Sequence, residues 1–499
     1  MRHNALAPCC GLPLHATMLI ATAFLPASPA GAVAPPIPQA RLEINEIGMY
    51  VGNNAVFGLN QSTYDAGLEF PRGSDRFVLY TAGLQVSGRV AGERRIVVAE
   101  FGSEWGPGSI VAGQPSGDPS EQRVFRVTRG DTAGRGAWDG LAVPLGAPAT
   151  PPGDQTLWTV CNDLALPVLP PRGSLRLTPP IGLETQITAW AFDRPGVLQR
   201  ALFMHLRLVH EGAAPLDSAA VGIFFDPRAA PYALRAAADT ARDMAYAYPA
   251  DDPAGESAVA VGIVWLGGPG NGAGPRMRPT SFVVYPNGSD PADAVQFDRA
   301  LRGALPWGAA MIDSSTGQPT PWFSPGDPVG GSGWVATVPA HPHAVLAAQP
   351  FTLAPGDTQD VELAIVIGRG ADRTAAILNL RAAADEARAF YAAGFAGLPA
   401  PAPEALPGRI LAFPNPAQAG ARLVFRVASS MEHVEAVLYD VHGRRVRRLT
   451  DAVWPAGRQV VEWDGRDDEG RHVGAGLYFV RMTIGGREYT ARIVRLSGG

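Results

Sequence analysis

Lysine is missing from the 499-residue chain, so all 41 Lys and Arg positions are arginine. Schiff-base catalysis and the lysine of a phosphate-binding P-loop are therefore excluded. Cysteine is scarce too, with three in the chain, and Cys9 and Cys10 lie in a predicted signal peptide, so Cys161 is the remaining thiol after cleavage. One thiol forms no intramolecular disulfide. Its place in the strand-like run 157–161 predicts a buried structural cysteine rather than a nucleophile.

The sequence also has little net charge and few long hydrophobic runs. A net charge of −5 gives no electrostatic reason to expect a nucleic-acid or membrane-surface partner. The apolar stretch 18–25 precedes Ala30-Gly31-Ala32, which matches an A-x-A cleavage pattern. That stretch is too short to span a bilayer, so residues 1–32 are predicted to be a secretory signal peptide. We therefore expect a secreted or outer-cell-surface protein without a transmembrane anchor.

Glycine and proline are abundant, at 58 and 47 residues, and divide the chain into short segments. Apolar and other side chains alternate along 202–209, and a hairpin is predicted over 83–101. These patterns, with further candidate strands at 124–127 and 186–191, predict a mainly β fold with a large sandwich-like body. One helix is expected near the end of the body at 372–393, with Asp372 as its N-cap. A short helix is also considered within the Ala/Arg-rich stretch 228–246.

Proline-rich segments set the predicted domain boundaries. Residues 33–40 form a Pro/Ala leader, and residues 397–407 form a semi-rigid linker. Between them, residues 41–396 are the predicted β-rich body, either one domain or two subdomains. Residues 408–499 contain six or seven short alternating segments separated by turns, which predicts a C-terminal Ig-like β-sandwich.

Four ordered sequence blocks of this C-terminal module resemble the Ig-like domain of the flagellar hook-capping protein. They are similar also to the C-terminal sorting modules of type IX secretion cargo, and they are residues 414–416, 438–446, 463–470 and 476–479. The resemblance covers residues 408–496 and implies secretion or cell-envelope machinery as a partner. Sorting modules of this type commonly end in a basic tail, whereas this chain ends Arg-Leu-Ser-Gly-Gly. A sorting signal and a purely structural Ig-like tail therefore both stay open.

The body resembles the uncharacterised N-terminal regions of secreted bacterial proteins that bear this module. The blocks that carry the resemblance are residues 153–158, 326–329 with 333–334, and 350–357. Such regions often have an Asp-rich loop after a strand that ends in Asp-Pro. Here Asp226-Pro227 is present, but the residues that follow are poor in acids until Asp239. This resemblance implies no particular activity.

Two glycine-rich segments invite comparison with nucleotide and nucleophile motifs, and neither motif is complete. Gly267–Gly274 is followed by Pro275 and Pro279 rather than by the helix that a dinucleotide fingerprint requires. In residues 330–334, Trp334 occupies the place of the second glycine of a nucleophile elbow. Both segments are therefore predicted to be loops.

The sequence contains no complete metal-binding motif and no clustered tryptophans typical of a sugar-binding site. His341-Pro342-His343 has no third ligand nearby, and His210-Glu211 lacks the second histidine of a zinc helix. The acid-rich residues 464–470 are predicted to be a turn, because Ala475 stands where an EF-hand needs glutamate. The ten tryptophans are scattered singly, which favours core packing over sugar stacking.

No catalytic, cofactor-binding or metal-binding residue is therefore assigned from sequence. Two classes of function stay open. The favoured one is a non-enzymatic exported or cell-surface protein whose Ig-like module serves sorting, attachment or structural support. The alternative is a secreted hydrolase or carbohydrate-binding protein with a site in residues 41–396, for which two converging carboxylates in a cleft would argue. The oligomeric state is not indicated.

Overall fold

A computed structural model describes most of the chain after the predicted signal peptide. The described residues are 37–165, 176–228, 233–253, 257–270, 275–285, 289–337, 342–396, 398, 410–418, 420–427, 432–454 and 457–496. The signal peptide predicted at 1–32 and nearly all of the linker predicted at 397–407 lie outside these residues.

The body is built mainly from β-strands, as predicted, with three α-helices among its described residues. In chain order its elements are β1 (Gln39–Leu42), β2 (Gly48–Gly52), β3 (Val56–Phe57), β4 (Leu59–Asn60), β5 (Asp65–Ala66), β6 (Leu68–Glu69), β7 (Phe77–Val90), β8 (Glu93–Val97), β9 (Gly106–Pro107), β10 (Ile110–Val111), β11 (Gln114–Pro115), β12 (Phe125–Thr128), α1 (Thr132–Ala137), β13 (Gln155–Asn162), β14 (Leu183–Ala191), β15 (Ala201–His210), β16 (Leu216–Pro227), β17 (Leu234–Asp239), β18 (Met244–Pro249), β19 (Ala258–Gly267), β20 (Ser281–Tyr285), α2 (Ala294–Leu301), β21 (Met311–Ile312), β22 (Pro319–Thr320), β23 (His343–Leu353), β24 (Thr358–Gly370) and α3 (Arg373–Ala392). The two short helices α1 and α2 are additions to the sequence-based prediction.

Two nine-stranded sheets form most of the described body, and the strand pairs β4–β5, β10–β11 and β21–β22 form separate two-stranded sheets. The first has the strand order β1-β2-β3-β7-β16-β23-β20, with β6 and β8 alongside, and the second has the order β12-β13-β14-β15-β24-β19-β18-β17, with β9 alongside. Their pairings are antiparallel. One hydrophobic core contains side chains from both sheets, so the body is a sandwich with an inner and an outer face on each sheet.

Alternation along β15 shows how a strand of the second sheet serves both faces. Leu202, Met204 and Leu206 belong to the core between the sheets. Phe203 belongs to a separate cluster on the outer face, and His205 is the next residue on that face. Successive side chains of a strand point to opposite faces, which explains the division. The alternation read from residues 202–209 is therefore confirmed.

Helix α3 covers part of the outer face of the second sheet. Asp372 caps it as predicted, because its carboxylate accepts a hydrogen bond from the backbone N–H of Ala375 at 2.7 Å. Residues Ile377, Leu380 and Ala384 of the helix are buried against the outer face. A helix at 372–393 is thus confirmed as Arg373–Ala392. No helix in the described part of the chain has the length and hydropathy to span a bilayer.

The helix considered within 228–246 is wrong for the residues that the structure describes, which form the β17–β18 hairpin instead. Alanine favours helices, but this preference is weak against tertiary packing. Ala236 is buried in the core between the sheets, and Ala237 is buried under α3. A strand buried on both faces suits these small side chains.

The C-terminal residues form seven strands around a core of their own. They are β25 (Leu411–Phe413), β26 (Ala421–Val427), β27 (Glu432–Tyr439), β28 (Arg445–Trp454), β29 (Gly457–Trp463), β30 (Gly476–Ile484) and β31 (Arg487–Arg495). One sheet has the order β25-β26-β29 and the other β28-β27-β30-β31. The shared core includes Leu423, Val434, Trp463 and Ile493, which confirms the predicted Ig-like sandwich.

Candidate functional site

A cleft of about 290 Å³ opens on the outer face of the second sheet, beside helix α3. Its floor comes from β13, β14, β15 and β24, one wall from the segment that follows the 3₁₀ turn Val143–Leu145, and another from α3. The lining residues are Gly146, Pro148, Pro152, Trp158, Gln186, Thr188, Trp190, His205, Arg207, Glu362 and Tyr391.

Cross-strand pairing aligns the polar lining in rows. In one row Trp158 pairs with Thr188, Thr188 with His205, and His205 with Glu362. Directly opposite residues of antiparallel strands lie side by side on one face. The row therefore presents an aromatic ring, a hydroxyl, an imidazole and a carboxylate in sequence across four strands.

A second row runs parallel to the first and adds an amide, a guanidinium and another carboxylate. Gln186 of β14 pairs with Arg207 of β15, and Arg207 pairs with Asp360 of β24. Gly146 lies next to Gln186, since a Cβ at this glycine would be 2.8 Å from the amide oxygen. Its φ of 114° also favours glycine. The backbone of Gly146 in this wall therefore lies next to the side-chain amide of Gln186, with no side chain between them.

Asp360 is held between two cationic or hydrogen-bonding partners. His205 Nε2 lies 2.7 Å from its carboxylate, and Arg207 Nε donates to the same oxygen at 3.0 Å. Burial by itself would raise the pKa of Asp360, but these two hydrogen bonds outweigh burial and hold the pKa well below its usual range. Asp360 is therefore charged at neutral pH and orients the imidazole and the guanidinium.

The negative charge of Glu362, on the other side of the cleft, is also balanced by neighbouring groups. Its carboxylate forms an ion pair with Arg276, and Tyr391 of α3 donates its hydroxyl to it. Burial first, and then the charge of Glu362, raise the pKa of Tyr391, so that hydroxyl stays protonated. Both carboxylates of the cleft are thus already paired by groups of the protein.

Aromatic side chains frame the cleft at different depths. Trp158 and Trp190 are only 1% and 5% exposed, whereas the ring of Tyr391 is half-buried. Trp190 stacks on Phe203 with ring centroids 5.8 Å apart. Its indole N–H has no hydrogen-bond acceptor among the described residues. A buried donor without a partner is uncommon and is a candidate for bonding a ligand oxygen.

The two glycine-rich segments of the sequence lie outside this cleft. Residues 271–274 of the first are outside the described residues. Gly270 exchanges two hydrogen bonds with the side chain of Gln359, at 2.7 and 2.8 Å, and no helix follows over 275–280. Just before the second segment, the side chain of Asp327 accepts hydrogen bonds from the backbone of Val329 and Gly330. Both therefore include strand-connecting loops, as predicted.

His343 is brought together with residues that the sequence analysis treated separately. Its Nδ1 lies 2.7 Å from Asp290, and its Nε2 lies 3.7 Å from the fully buried carboxylate of Asp226. Burial, the largest influence, raises the pKa of Asp226 to about 6, although His343 and Arg228 oppose it. His341 lies outside the described residues. Among those described, no three or more His, Cys, Asp or Glu side chains are grouped to hold a metal ion.

Three other sequence candidates take structural roles. Cys161 is buried in β13, and burial raises the pKa of its thiol, which makes it unreactive as predicted. His210 is fully buried at the end of β15, and burial lowers its pKa. In the acid-rich turn 464–470, Asp467 accepts hydrogen bonds from the backbone of Glu469 and Arg471. This local bonding is the turn chemistry that was predicted.

Sequence reasoning missed the cleft because its residues come from distant parts of the chain. His205 and Asp360 are 155 positions apart in the sequence. The one available signal was the alternation in β15, which placed His205 and Arg207 on the same face as Phe203. Neither the identity of the neighbouring strands nor the wall formed by α3 follows from that pattern.

Comparison with known proteins adds one family match. Residues 414–486 match the FlgD Ig-like domain, which confirms the Ig-like module recognised from the sequence. The match covers a small part of the chain and says nothing of the body. No curated protein sequence matches the chain.

Solved structures similar to this chain include a polysaccharide lyase, at 12% identity over 68% of this chain and 39% of that chain, with a TM-score of 0.21. Dimeric latent PorU from Porphyromonas gingivalis is 13% identical over 62% of this chain and 26% of that chain, with a TM-score of 0.17. PorZ, a surface component of the type IX secretion system of the same organism, is 10% identical over 68% and 43%, with a TM-score of 0.15. This chain spans less than half of each of these proteins, and at such TM-scores the similarities carry no inference about activity.

Proposed function

We propose that the protein is exported and that its body binds a saccharide in the outer-face cleft without catalysing a reaction on it. The observation that carries this proposal is the mixture of groups around one cleft. Tyr391 supplies a half-buried aromatic ring, on which the C–H face of a sugar ring can pack, while Trp158 and Trp190 are buried in the floor of the cleft. Gln186 and Thr188 supply hydrogen-bonding groups of the kind that sugar hydroxyls need. Few convergent polar groups in a partly aromatic cleft are typical of ligand sites.

The charge state of the cleft supports binding over hydrolysis. A glycosidase with two carboxyl groups needs one of them to keep its proton and act as the general acid. The lowered pKa of Asp360 means that this group is ionised at neutral pH. The carboxylate of Glu362 already forms an ion pair with Arg276 and accepts a hydrogen bond from Tyr391. Neither carboxyl group is arranged as a proton donor to a ligand.

A second candidate function is an enzyme that acts on a carbohydrate, for which the His205–Asp360 pair is the specific observation. An imidazole oriented by a carboxylate is a common general base. Incubation of the full-length protein with polysaccharides, followed by chromatography of the products, separates the two candidates. If the protein only binds, the polysaccharide chains should keep their length. If it is an enzyme, shorter polysaccharide chains should appear with the wild-type protein and not with His205→Gln.

The same proposal assigns delivery or attachment to the C-terminal module. It combines export through the signal peptide at 1–32 with a body at 41–396, a linker at 397–407 and the module at 408–499, and its partner is secretion or cell-envelope machinery. The family match over 414–486 supports the Ig-like nature of the module. Deletion of residues 408–499 should prevent surface display while the body stays folded. Normal surface display of the truncated protein would show that the module is only a structural tail.

Saccharide binding itself is tested by screening the full-length protein on a glycan array and measuring the best ligand by calorimetry. Gln186→Ala removes one hydrogen-bonding side chain from the cleft and should weaken binding about tenfold, as expected for a bond worth about 1 kcal/mol or slightly more. Gln318→Ala is a matched control, because Gln318 is exposed outside the cleft. Equal weakening by both variants, or no ligand in the millimolar range, would contradict the proposal.

A further inference from the structure

Arg207 is the cationic side chain of the cleft that keeps donors available for a ligand. Its Nε donates to Asp360 at 3.0 Å, and its side chain is 45% exposed. A guanidinium has five N–H donors, and the four on the two terminal nitrogens form no hydrogen bond to a described residue. The ion pair with Asp360 therefore fixes the orientation of Arg207 and leaves its outer edge open.

Arg276, a second arginine beside the cleft, has each of its three guanidinium nitrogens engaged by the fold. Its Nε donates to the backbone oxygen of Gly268 at 2.9 Å, and its Nη2 donates to the backbone oxygen of Asp360 at 2.6 Å. Its Nη1 forms the ion pair with Glu362. Arg276 thus holds the loop after β19 against β24, and among the described arginines that line the cleft Arg207 is the one placed to bind an anion.

The negative charges near Arg207 would not repel an anionic ligand strongly, because each is compensated. Asp360 is paired with His205 and Arg207, and Glu362 is paired with Arg276. The four charged groups other than the imidazole, two arginines and two acids, balance one another. A ligand with a single negative charge therefore meets a neutral cleft with one guanidinium edge facing it.

We propose that the cleft recognises saccharide units that carry a carboxylate, as uronic acids do, and that Arg207 binds this carboxylate. The inference rests on the proposed saccharide binding and adds the class of sugar. The planar fork of a guanidinium matches a carboxylate with two parallel hydrogen bonds, and such charge-assisted pairs are stronger than bonds to neutral groups. Tyr391 and Gln186 then flank the ring of the same sugar unit.

Matched pairs of glycosides test the inference in the full-length protein. Each pair has one stereochemistry and differs only at C6, as methyl glucuronide with methyl glucoside, methyl galacturonide with methyl galactoside, and methyl mannuronide with methyl mannoside. Calorimetry should show that the acidic member of the recognised pair binds at least tenfold more tightly than its neutral partner. That preference should shrink as sodium chloride is added, because salt screens the exposed guanidinium.

Variants identify the group responsible. Arg207→Gln should bring the acidic and neutral affinities within about twofold of each other, and an unchanged melting temperature would show that the body is still folded. Arg207→Lys should keep part of the preference, because it keeps the charge and loses the planar fork. Arg126→Gln breaks an exposed ion pair with Glu43 outside the cleft and should leave the preference unchanged.

The outcomes separate the two proposals. Neutral glycosides that bind as tightly as acidic ones would overturn the inference and leave saccharide binding intact. A preference that persists in Arg207→Gln would overturn the role of Arg207, and sulfated glycosides that bind more tightly than carboxylated ones would overturn the assignment of a carboxylate. If no member of any pair binds, saccharide binding fails and the inference fails with it.

Discussion

Replacement of Trp463 by alanine probes the core of the C-terminal module most sharply. The ring is 2% exposed and lies 5.3 Å from the ring of Tyr478, between centroids. Its indole N–H donates to the backbone oxygen of Arg466 at 2.9 Å. Trp463→Ala therefore removes a large apolar surface and one hydrogen bond to the partly buried carbonyl of Arg466. Val453, 51% exposed in β28, offers a matched control in the same module.

The magnitude follows from the buried area. A buried tryptophan covers about 150–250 Å², which at about 25 cal/mol per Å² corresponds to roughly 4–6 kcal/mol. Alanine restores a small part of this surface, and the neighbouring side chains relax into part of the cavity. We therefore expect a loss of about 3–5 kcal/mol in the free energy of unfolding. A module of about 90 residues has roughly 5–13 kcal/mol in total, so this loss would remove a large share of its stability.

Urea unfolding of residues 405–499, followed by circular dichroism, measures this loss. The wild-type fragment should give a β-type spectrum and a single cooperative transition. Trp463→Ala should lower the midpoint at an unchanged slope, whereas Val453→Ala should change the free energy by no more than about 0.5 kcal/mol. A loss below 1 kcal/mol for Trp463→Ala would refute the packing argument. A wild-type fragment without a cooperative transition would refute independent folding of the module.

Three further predictions concern other parts of the chain. Burial first raises the pKa of Glu46, which accepts a hydrogen bond from Arg422, from 4.5 to about 7. The stability that Glu46 contributes is then fully present below about pH 4.5 and is lost as the pH rises through about 7. The melting temperature should therefore fall over that pH range. Glu46→Gln should make this fall smaller. A Cβ at Gly368 would lie 2.2 Å from a backbone oxygen of α3, so Gly368→Ala should lower the melting temperature by several degrees, whereas Gly136→Ala, with open space around it, should not. Mass spectrometry of the exported protein should find an N-terminus near Val33, and an intact original terminus would argue against signal cleavage.

Local patterns were sufficient for the class of fold. Strict alternation in β15 and the capped, amphipathic stretch of α3 each satisfy one periodicity along the whole element, so their type was predictable. The hairpin of β7 and β8 was predictable from Ala91-Gly92, whose φ angles of 51° and 82° suit a tight turn. The β17–β18 hairpin was not, because its alanines take strand conformation only in a sheet covered on both faces.

The position of the site depends on strand pairing between distant parts of the chain, which no local sequence pattern encodes. Alternation placed His205 and Arg207 on one face, but their partner Asp360 lies on a strand that joins β15 from far along the chain. The strand 358–370 itself was not distinguished from its neighbours in the sequence. Tyr391 lies on the predicted helix 372–393, and only the docking of that helix on the sheet brings its hydroxyl to Glu362. Motif searches fail here because the cleft is assembled from one to three residues each of β13, β14, β15, β24, α3 and the segment after Leu145.

The central claim, that the outer-face cleft of the body holds a saccharide, is tested most directly by a crystal structure of the full-length protein with its best glycan-array ligand. We predict electron density for a sugar ring within contact distance of Tyr391 and Gln186, with its polar groups near Arg207. Density for the sugar at another surface, with an empty cleft at saturating ligand, would contradict this account.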